Sequence, residues 1–197
     1  GTYTVTATDN NGCIVTNEIT IGQPPELVSE ITSSNNVDCN GNSTGSATVG
    51  ADGGTPGYSY SWSTGGTEAT EMAMPAGTHS VTTTDDHGCE TISEVTISQP
   101  NILEVNPTST NETAVNTNDG TATANPAGGT ADYTYEWGNG ATTQTIENLS
   151  PGEYCVTITD INGCTESACI TVNSFDCGAI TSEFDVVQVS CNGSADG

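Results

Sequence analysis

Residues 3–13, 79–89 and 154–164 share the pattern V-T-x-T-D-x-x-G-C, with the closing Cys13, Cys89 and Cys164 set 76 and then 75 residues apart. A period of that size reads as a tandem array and constrains the fold more than any other feature of the chain. A second segment repeats in the same register: Tyr58, Tyr60 and Trp62 return as Tyr133, Tyr135 and Trp137, each group preceded by Gly-Gly-Thr. One catalytic domain has little reason to duplicate its tryptophan, its turn and its cysteine together, whereas a modular extracellular stalk or adhesin does.

The repeat predicts four segments: the C-terminal part of a module at 1–24, complete modules at 25–99 and 100–174, and the N-terminal part of another at 175–197. Both ends are expected to fall inside modules, because Cys191-Asn192-Gly193 repeats the early Cys39-Asn40-Gly41. Within 25–99 the pattern predicts strands at 26–31, 46–49 and 58–63, then a weaker one through Met72 and Met74 to the Pro75-Ala76-Gly77 turn. A hairpin of 79–84 and 94–97 should follow, folded around Asp85-Asp86-His87-Gly88-Cys89.

Alternation at 58–63 puts Tyr58, Tyr60 and Trp62 on one face and the serines on the other, so these residues, with Tyr133, Tyr135 and Trp137, are the expected core aromatics. No useful window carries an apolar helical period. The expected fold is all-β, a series of immunoglobulin-like β-sandwich modules, with a small barrel as the alternative. Each final strand runs directly into Gln23-Pro24 or Gln99-Pro100. Such short, proline-led joins restrict bending and predict an extended rod.

The chain has 25 acidic residues and no lysine or arginine, for a formal charge of −25. No basic footprint exists to displace phosphate counterions, which opposes nucleic-acid partners and docking on an anionic membrane. No stretch is apolar enough to predict membrane insertion. Recurrence of aromatic and β-branched residues at strand spacing separates the chain from a disordered acidic tail.

Eight cysteines favour an oxidising compartment, where a bridge supports a module with a modest core. Cys39 and Cys89 share one module and flank its aromatic strand, which predicts a bridge between them. The next module has Ala114 where Cys39 would recur and adds Cys155, Cys169 and Cys177. Alternation places Cys155 and Cys169 on the face opposite Val156, Ile170 and Val172, predicting a cross-strand bridge. Cys164 with Cys177 follows by elimination. Zinc is the competing reading of this cluster, but no histidine follows Cys164.

The motifs together resemble the SprB-type repeat of very large secreted surface adhesins of Bacteroidota, including gliding-motility adhesins. The matching pieces are Cys39-Asn40-Gly41, Gly45-Ser46-Ala47-Thr48-Val49, the Gly-Gly-Thr-Pro-x-Tyr-x-Tyr-x-Trp run ending at Trp62, Pro75-Ala76-Gly77, the block ending at Cys89, and Ile97-Ser98-Gln99-Pro100. The second module repeats most of them; His79 for tyrosine and Ala114 for cysteine are departures. The resemblance implies a cell-surface adhesive filament exported through a type IX pathway, attached to the outer membrane through regions outside this segment. It also implies a surface polysaccharide or protein receptor, and contact with envelope motility or secretion machinery through other regions.

No Ser/His/Asp or Cys/His set points to an enzyme. His79 and His87 stand where other copies have Tyr3 and Tyr154, or Asn11 and Asn162, and read as an aromatic substitute and a turn residue. No cofactor is expected, with one ion to consider: Asp9, Asp85, Asp86 and Asp160 place hard oxygen ligands in tight turns, a weak calcium signal. The competing reading has each aspartate accept its own turn's N–H groups. The Tyr/Trp strand likewise invites a carbohydrate-binding reading against core packing. A purely structural spacer is the third reading.

Overall fold

The computed structural model describes residues 1–176. Among these residues there are sixteen strands and no helix. They are β1 (Thr2–Thr8), β2 (Ile14–Thr20), β3 (Val28–Asn35), β4 (Gly45–Asp52), β5 (Ser59–Trp62), β6 (Thr70–Met74), β7 (Gly77–Thr84) and β8 (Glu90–Ile97). The second repeat adds β9 (Glu104–Val105), β10 (Thr108–Thr110), β11 (Gly120–Thr123), β12 (Pro126–Ala127), β13 (Tyr133–Trp137), β14 (Thr145–Leu149), β15 (Gly152–Asp160) and β16 (Thr165–Val172).

The chain forms two compact units. One comprises Gly1–Val105, Pro126–Thr134 and Thr157–Glu166; the other comprises Asn106–Asn125, Tyr135–Val156 and the described residues from Ser167 on. The first unit therefore holds the whole of 25–99 together with the Gly-Gly-Thr and Asp-x-x-Gly-Cys turns of the second repeat.

In the first unit β3-β4-β6 and β5-β7-β8 are two open, antiparallel, three-stranded sheets. Their apolar sides share one core of Val37, Ala47, Val49, Trp62, Met74, Val81, Val95 and Ile97. Period-two alternation builds it: Val81 and Thr83 point inward from β7, Val95 and Ile97 from β8, and threonines and glutamates alternate outward. Polar links join the two sheets, with Ser93 Oγ donating to the Ser29 carbonyl at 2.8 Å and the Val37 N–H to the Ser98 carbonyl at 2.9 Å.

The β1–β2 hairpin repeats the register of β7–β8, pairing Tyr3 with Ile19 as β7–β8 pairs His79 with Val95. All its residues are exposed, Val5 and Ile19 included. The difference is one of partners: in 25–99 the corresponding Val81 and Val95 are covered by the facing sheet.

In the second unit β10-β11-β14 form a three-stranded sheet matching β3-β4-β6. Trp137, Ile146, Leu149, Val156 and Val172 are buried there. Where β3 runs unbroken with a bulge between Ile31 and Ser33, the second repeat has separate β9 and β10, and β11 and β12 where the first has β4. Pro107 lies between β9 and β10, and Pro126 opens β12. Proline supplies no ladder N–H, so a strand is interrupted or begins there.

Candidate functional site

The Asp-x-x-Gly-Cys turn is built identically in both complete repeats. In each, the glycine N–H donates to the aspartate carbonyl at 3.0 Å, and the aspartate N–H to the cysteine carbonyl at 3.0 Å in the first repeat and 2.9 Å in the second. The aspartate side chain then caps the turn. Asp85 Oδ1 accepts the His87 and Cys89 N–H groups at 2.9 and 2.8 Å, and Oδ2 accepts the Thr55 N–H at 2.8 Å. Asp160 does the same with Asn162, Cys164 and Thr130. Asp9 takes the first two of these bonds, from Asn11 and Cys13.

Asp85 and Asp160 are only 5% and 4% exposed, in a chain that has no lysine or arginine to pair with them. Oriented backbone N–H groups supply the compensation, since a carboxylate accepting several of them is held in its charged form. Accordingly the Thr55 and Cys89 N–H groups, with that of His87, lower the Asp85 carboxyl below its usual range against the opposing effect of burial. These donors face the oxygens that a calcium ion would use, so the arrangement is turn capping. Asp86 is exposed and contributes only its N–H, to the Thr55 carbonyl at 3.2 Å.

The Gly-Gly-Thr segment is required by the same contact. Gly53 and Gly54 have φ of +72° and +55°, and Gly128 and Gly129 +70° and +59°. A Cβ on Gly54 would lie 2.7 Å from Asp85 Oδ2, and on Gly129 2.9 Å from Asp160 Oδ2. Only glycine allows both the left-handed backbone and the close approach of the carboxylate.

Trp62 and Trp137 are 3% and 2% exposed, and each indole N–H donates at 2.9 Å, to the Glu68 and Thr143 carbonyls. The expectation that the whole aromatic face is core is corrected for the tyrosines, which are half-buried. Hydroxyl groups explain it: Tyr58 and Tyr133 donate at 2.6 Å to the Gly53 and Gly128 carbonyls, holding the turn. Tyr60 packs against the core from its edge, and Tyr135 is also half-buried. With both indoles inside and their N–H groups engaged, neither tryptophan presents a face for stacking on a sugar.

The cysteine pairing departs from expectation. Cys39 is bridged to Cys164, with a Cα–Cα distance of 5.7 Å. Cys89 is free and exposed, as is Cys13. A bridge within 25–99 is excluded by the length of β8. The Cys89 turn lies at the end where Gly54 N–H meets the Pro25 carbonyl, while Gly41 N–H donates to Gln99 Oε1 at 2.9 Å and Asn40 Nδ2 to the Pro100 carbonyl at 3.0 Å. The eight residues of β8 run between these ends, a span of about 25 Å at the rise of an extended strand, far beyond disulfide reach.

Pairing of Cys164 with Cys177 is likewise corrected, since Cys164 is engaged by Cys39; Cys177 lies outside the described residues. Cys155 is bridged to Cys169 across β15 and β16. Among the described residues the one group of three metal-capable side chains is Glu153, Cys155 and Cys169, and the disulfide takes both of its sulfurs.

His79 Nε2 is 2.9 Å from the Pro75 carbonyl oxygen, where Tyr154 OH donates to the Ser150 carbonyl at 2.9 Å, so the imidazole replaces a phenol in one hydrogen bond. His87 Nδ1 lies 2.6 Å from Thr55 Oγ1. Its counterpart Asn162 donates both to Thr130 Oγ1 and to the Asp38 carbonyl, each at 3.2 Å. Asn162 thus adds a hydrogen bond beside the Cys39–Cys164 bridge.

A family model described as the SprB repeat matches residues 31–67 and 106–142. Both stretches are similar to the SprB repeat. The first match begins in β3 and the second between β9 and β10, and each extends just past the buried tryptophan. No curated protein matches the chain. Among solved structures, it is similar to Drosophila OTK extracellular domains 3–5, at 15% identity over 89% of this chain and 71% of that one, with a TM-score of 0.30. It is similar also to the amphioxus IgVJ-C2 molecule, at 11% over 77% and 98% with a TM-score of 0.30. Surface layer protein SbsC, domains 1–6, matches at 14% over 88% and 35% with a TM-score of 0.33. Likeness at these scores carries no argument about this chain. No helix among the described residues is long and apolar enough to cross a membrane.

Proposed function

We propose that this chain is a segment of a cell-surface adhesive filament whose modules set reach and carry load. The observation that supports this most directly is the Cys39–Cys164 bridge, which ties the early turn of one SprB repeat to the late turn of the next at a sequence separation of 125. Tension on such a chain passes across the join through a covalent bond as well as through the backbone. In this reading the modules at 25–99 and 100–174 are immunoglobulin-like sandwiches stacked as a rod, with partial modules at 1–24 and 175–197. The protein is non-enzymatic, extracellular and displayed at the cell surface. Attachment, secretion and any gliding role reside in regions beyond these repeats, and the receptor is a surface polysaccharide or protein. The disulfides suit an oxidising exterior.

Pulling single molecules from their ends tests the load-bearing part. The bridge shields the 125-residue stretch between Cys39 and Cys164 from extension, so about 40 nm of contour length should be missing until reductant is added. Full extension under oxidising conditions overturns it. Retention of chain-coated beads on polysaccharide or protein surfaces under flow tests adhesion separately.

A further inference from the structure

The bridge between Cys39 and Cys164 is a docking contact with a recognisable set of parts, and the same parts recur earlier in the chain without an occupant among the described residues. On the donor side is the Cys39-Asn40-Gly41 turn. On the acceptor side are three groups: Cys164 Sγ, Gln99 Oε1, which accepts the Gly41 N–H at 2.9 Å, and the Pro100 carbonyl, which accepts from Asn40 Nδ2 at 3.0 Å. One repeat earlier, Cys89, Gln23 and Pro24 hold the corresponding positions. Cys89 is a free thiol, and Cys89, Gln23 and Pro24 are all exposed.

The two acceptors share their support as well. Gly129 N–H donates to the Asn101 carbonyl at 2.9 Å, next to Pro100, and Gly54 N–H to the Pro25 carbonyl at 2.9 Å, next to Pro24. From there the Thr130–Asp160–Cys164 and Thr55–Asp85–Cys89 chains of hydrogen bonds are the same. What gives Cys89 meaning beyond a lone thiol is that its counterpart in the same turn is already bonded to a known partner.

We propose that Cys89, Gln23 and Pro24 form a covalent docking site for the Cys-Asn-Gly turn of a preceding module of the same kind. The rule that results is staggered: the early cysteine of each module bonds the late cysteine of the module after it, and never its own. Bond formation joins two thiols as a disulfide and passes two electrons and two protons to an oxidant, here a small-molecule disulfide such as oxidised glutathione, which is reduced to thiols. The inference stands on geometry and is independent of adhesion.

The test is the full chain with a second copy of residues 24–99 inserted after Gln99. The first of the two copies carries Ser43→Thr and Met72→Leu as mass tags; Met72 is 67% exposed. After refolding with oxidised glutathione, peptides are released by a glutamate-specific protease, since trypsin has no site. The expected result is the tagged Cys39 peptide linked to the untagged Cys89 peptide, with the untagged Cys39 linked to Cys164. A doubly tagged Cys39–Cys89 peptide overturns the proposal, and so does a free tagged Cys39 beside an intact Cys39–Cys164 link. Loss of the Cys39–Cys164 link overturns the rule at its origin. The unextended chain gives a second readout: without denaturant, alkylation should modify Cys89 and spare Cys39 and Cys164, and protection of Cys89 overturns its assignment as an open site.

Discussion

The early turns of the two repeats occupy corresponding places and are completed in opposite ways. Both are pinned by an asparagine, with Ser98 N–H donating to Asn36 Oδ1 at 2.9 Å and Asn173 N–H to Asn111 Oδ1 at 3.0 Å. Beyond that the first turn looks outward: Cys39 bonds Cys164, and Asn40 and Gly41 donate to Pro100 and Gln99. The second, with Ala114 in place of cysteine, closes on itself. Asp119 accepts from the Thr113 N–H at 2.9 Å, the Thr113 hydroxyl, and the Thr117 hydroxyl at 2.7 Å. Glu112, only 5% exposed, accepts the Asn118 N–H at 2.9 Å. Asn116 and Asn118 take φ of +60° and +50°, the left-handed region that asparagine tolerates better than most residues.

The difference teaches that the early turn is not needed as a covalent element of its own module. The second repeat orders the same loop with carboxylates, so the cysteine of the first repeat serves the join to the next repeat's Cys164 and not its own fold. The largest effect should therefore come from breaking that join. In a chain-entropy account, losing the bridge of 125-residue separation by Cys39→Ser costs about 5 kcal/mol, against about 3 kcal/mol for the bridge of separation 14 lost by Cys155→Ser. Urea denaturation of the two variants should rank them in that order. The reverse ranking would show that the join adds little and would collapse the contrast between the two turns.

A second experiment examines what the repeats share. Trp62→Ala and Trp137→Ala each remove a large indole that is nearly or wholly inaccessible, at a cost of about 3–5 kcal/mol through lost burial and the cavity left behind. Denaturation is followed for the whole chain by far-ultraviolet circular dichroism, and the tryptophan that each variant retains reports the unaltered repeat. Comparable losses are expected, because both indoles make the same hydrogen bond and are equally buried. A loss confined to one variant would mean that the two repeats do not rest on their tryptophans alike.

Period-two alternation and the repeat itself make the all-β architecture, the β7–β8 hairpin and the buried tryptophans legible in the sequence. The Asp caps were readable too, as one of two meanings of an aspartate in a tight turn. What alternation could not show was which end of the strands each turn occupies. Cys39 and Cys89 are near enough in sequence to look like a pair, and only the eight-residue length of β8 places them at opposite ends. Once the Gln99–Gly41 contact locates the Cys39 turn beside the next repeat, Cys164 becomes its neighbour. The tyrosines misled for a different reason: their rings follow the strand face while their hydroxyl groups seek carbonyls at the turn. Division of the β3 counterpart into β9 and β10 was in principle legible from Pro107, a residue that supplies no ladder N–H.

The smallest effect distinguishes the two early turns by pH. Asp119 is lowered from 3.8 to about 2, first by the Thr113 hydroxyl, then by the Thr117 hydroxyl and the Thr113 N–H. Its folded value lies below the unfolded one, so between them the unfolded chain binds more protons and stability falls as the pH is lowered. The cap should contribute fully above the unfolded value of 3.8 and fade as pH falls toward about 2. The Cys39 turn takes its equivalent bond from a hydroxyl, Asp38 N–H donating to Thr44 Oγ1 at 2.9 Å, which does not titrate in that window. Carboxyl NMR titration of Asp119, read with the amide exchange of Thr113 and Asp38, should show protection at Thr113 declining with acid while Asp38 changes only with global unfolding. Parallel loss at both amides well before global unfolding would show that the second turn is not held by its own carboxylate, and the contrast between an outward-tied and a self-closed turn would fail.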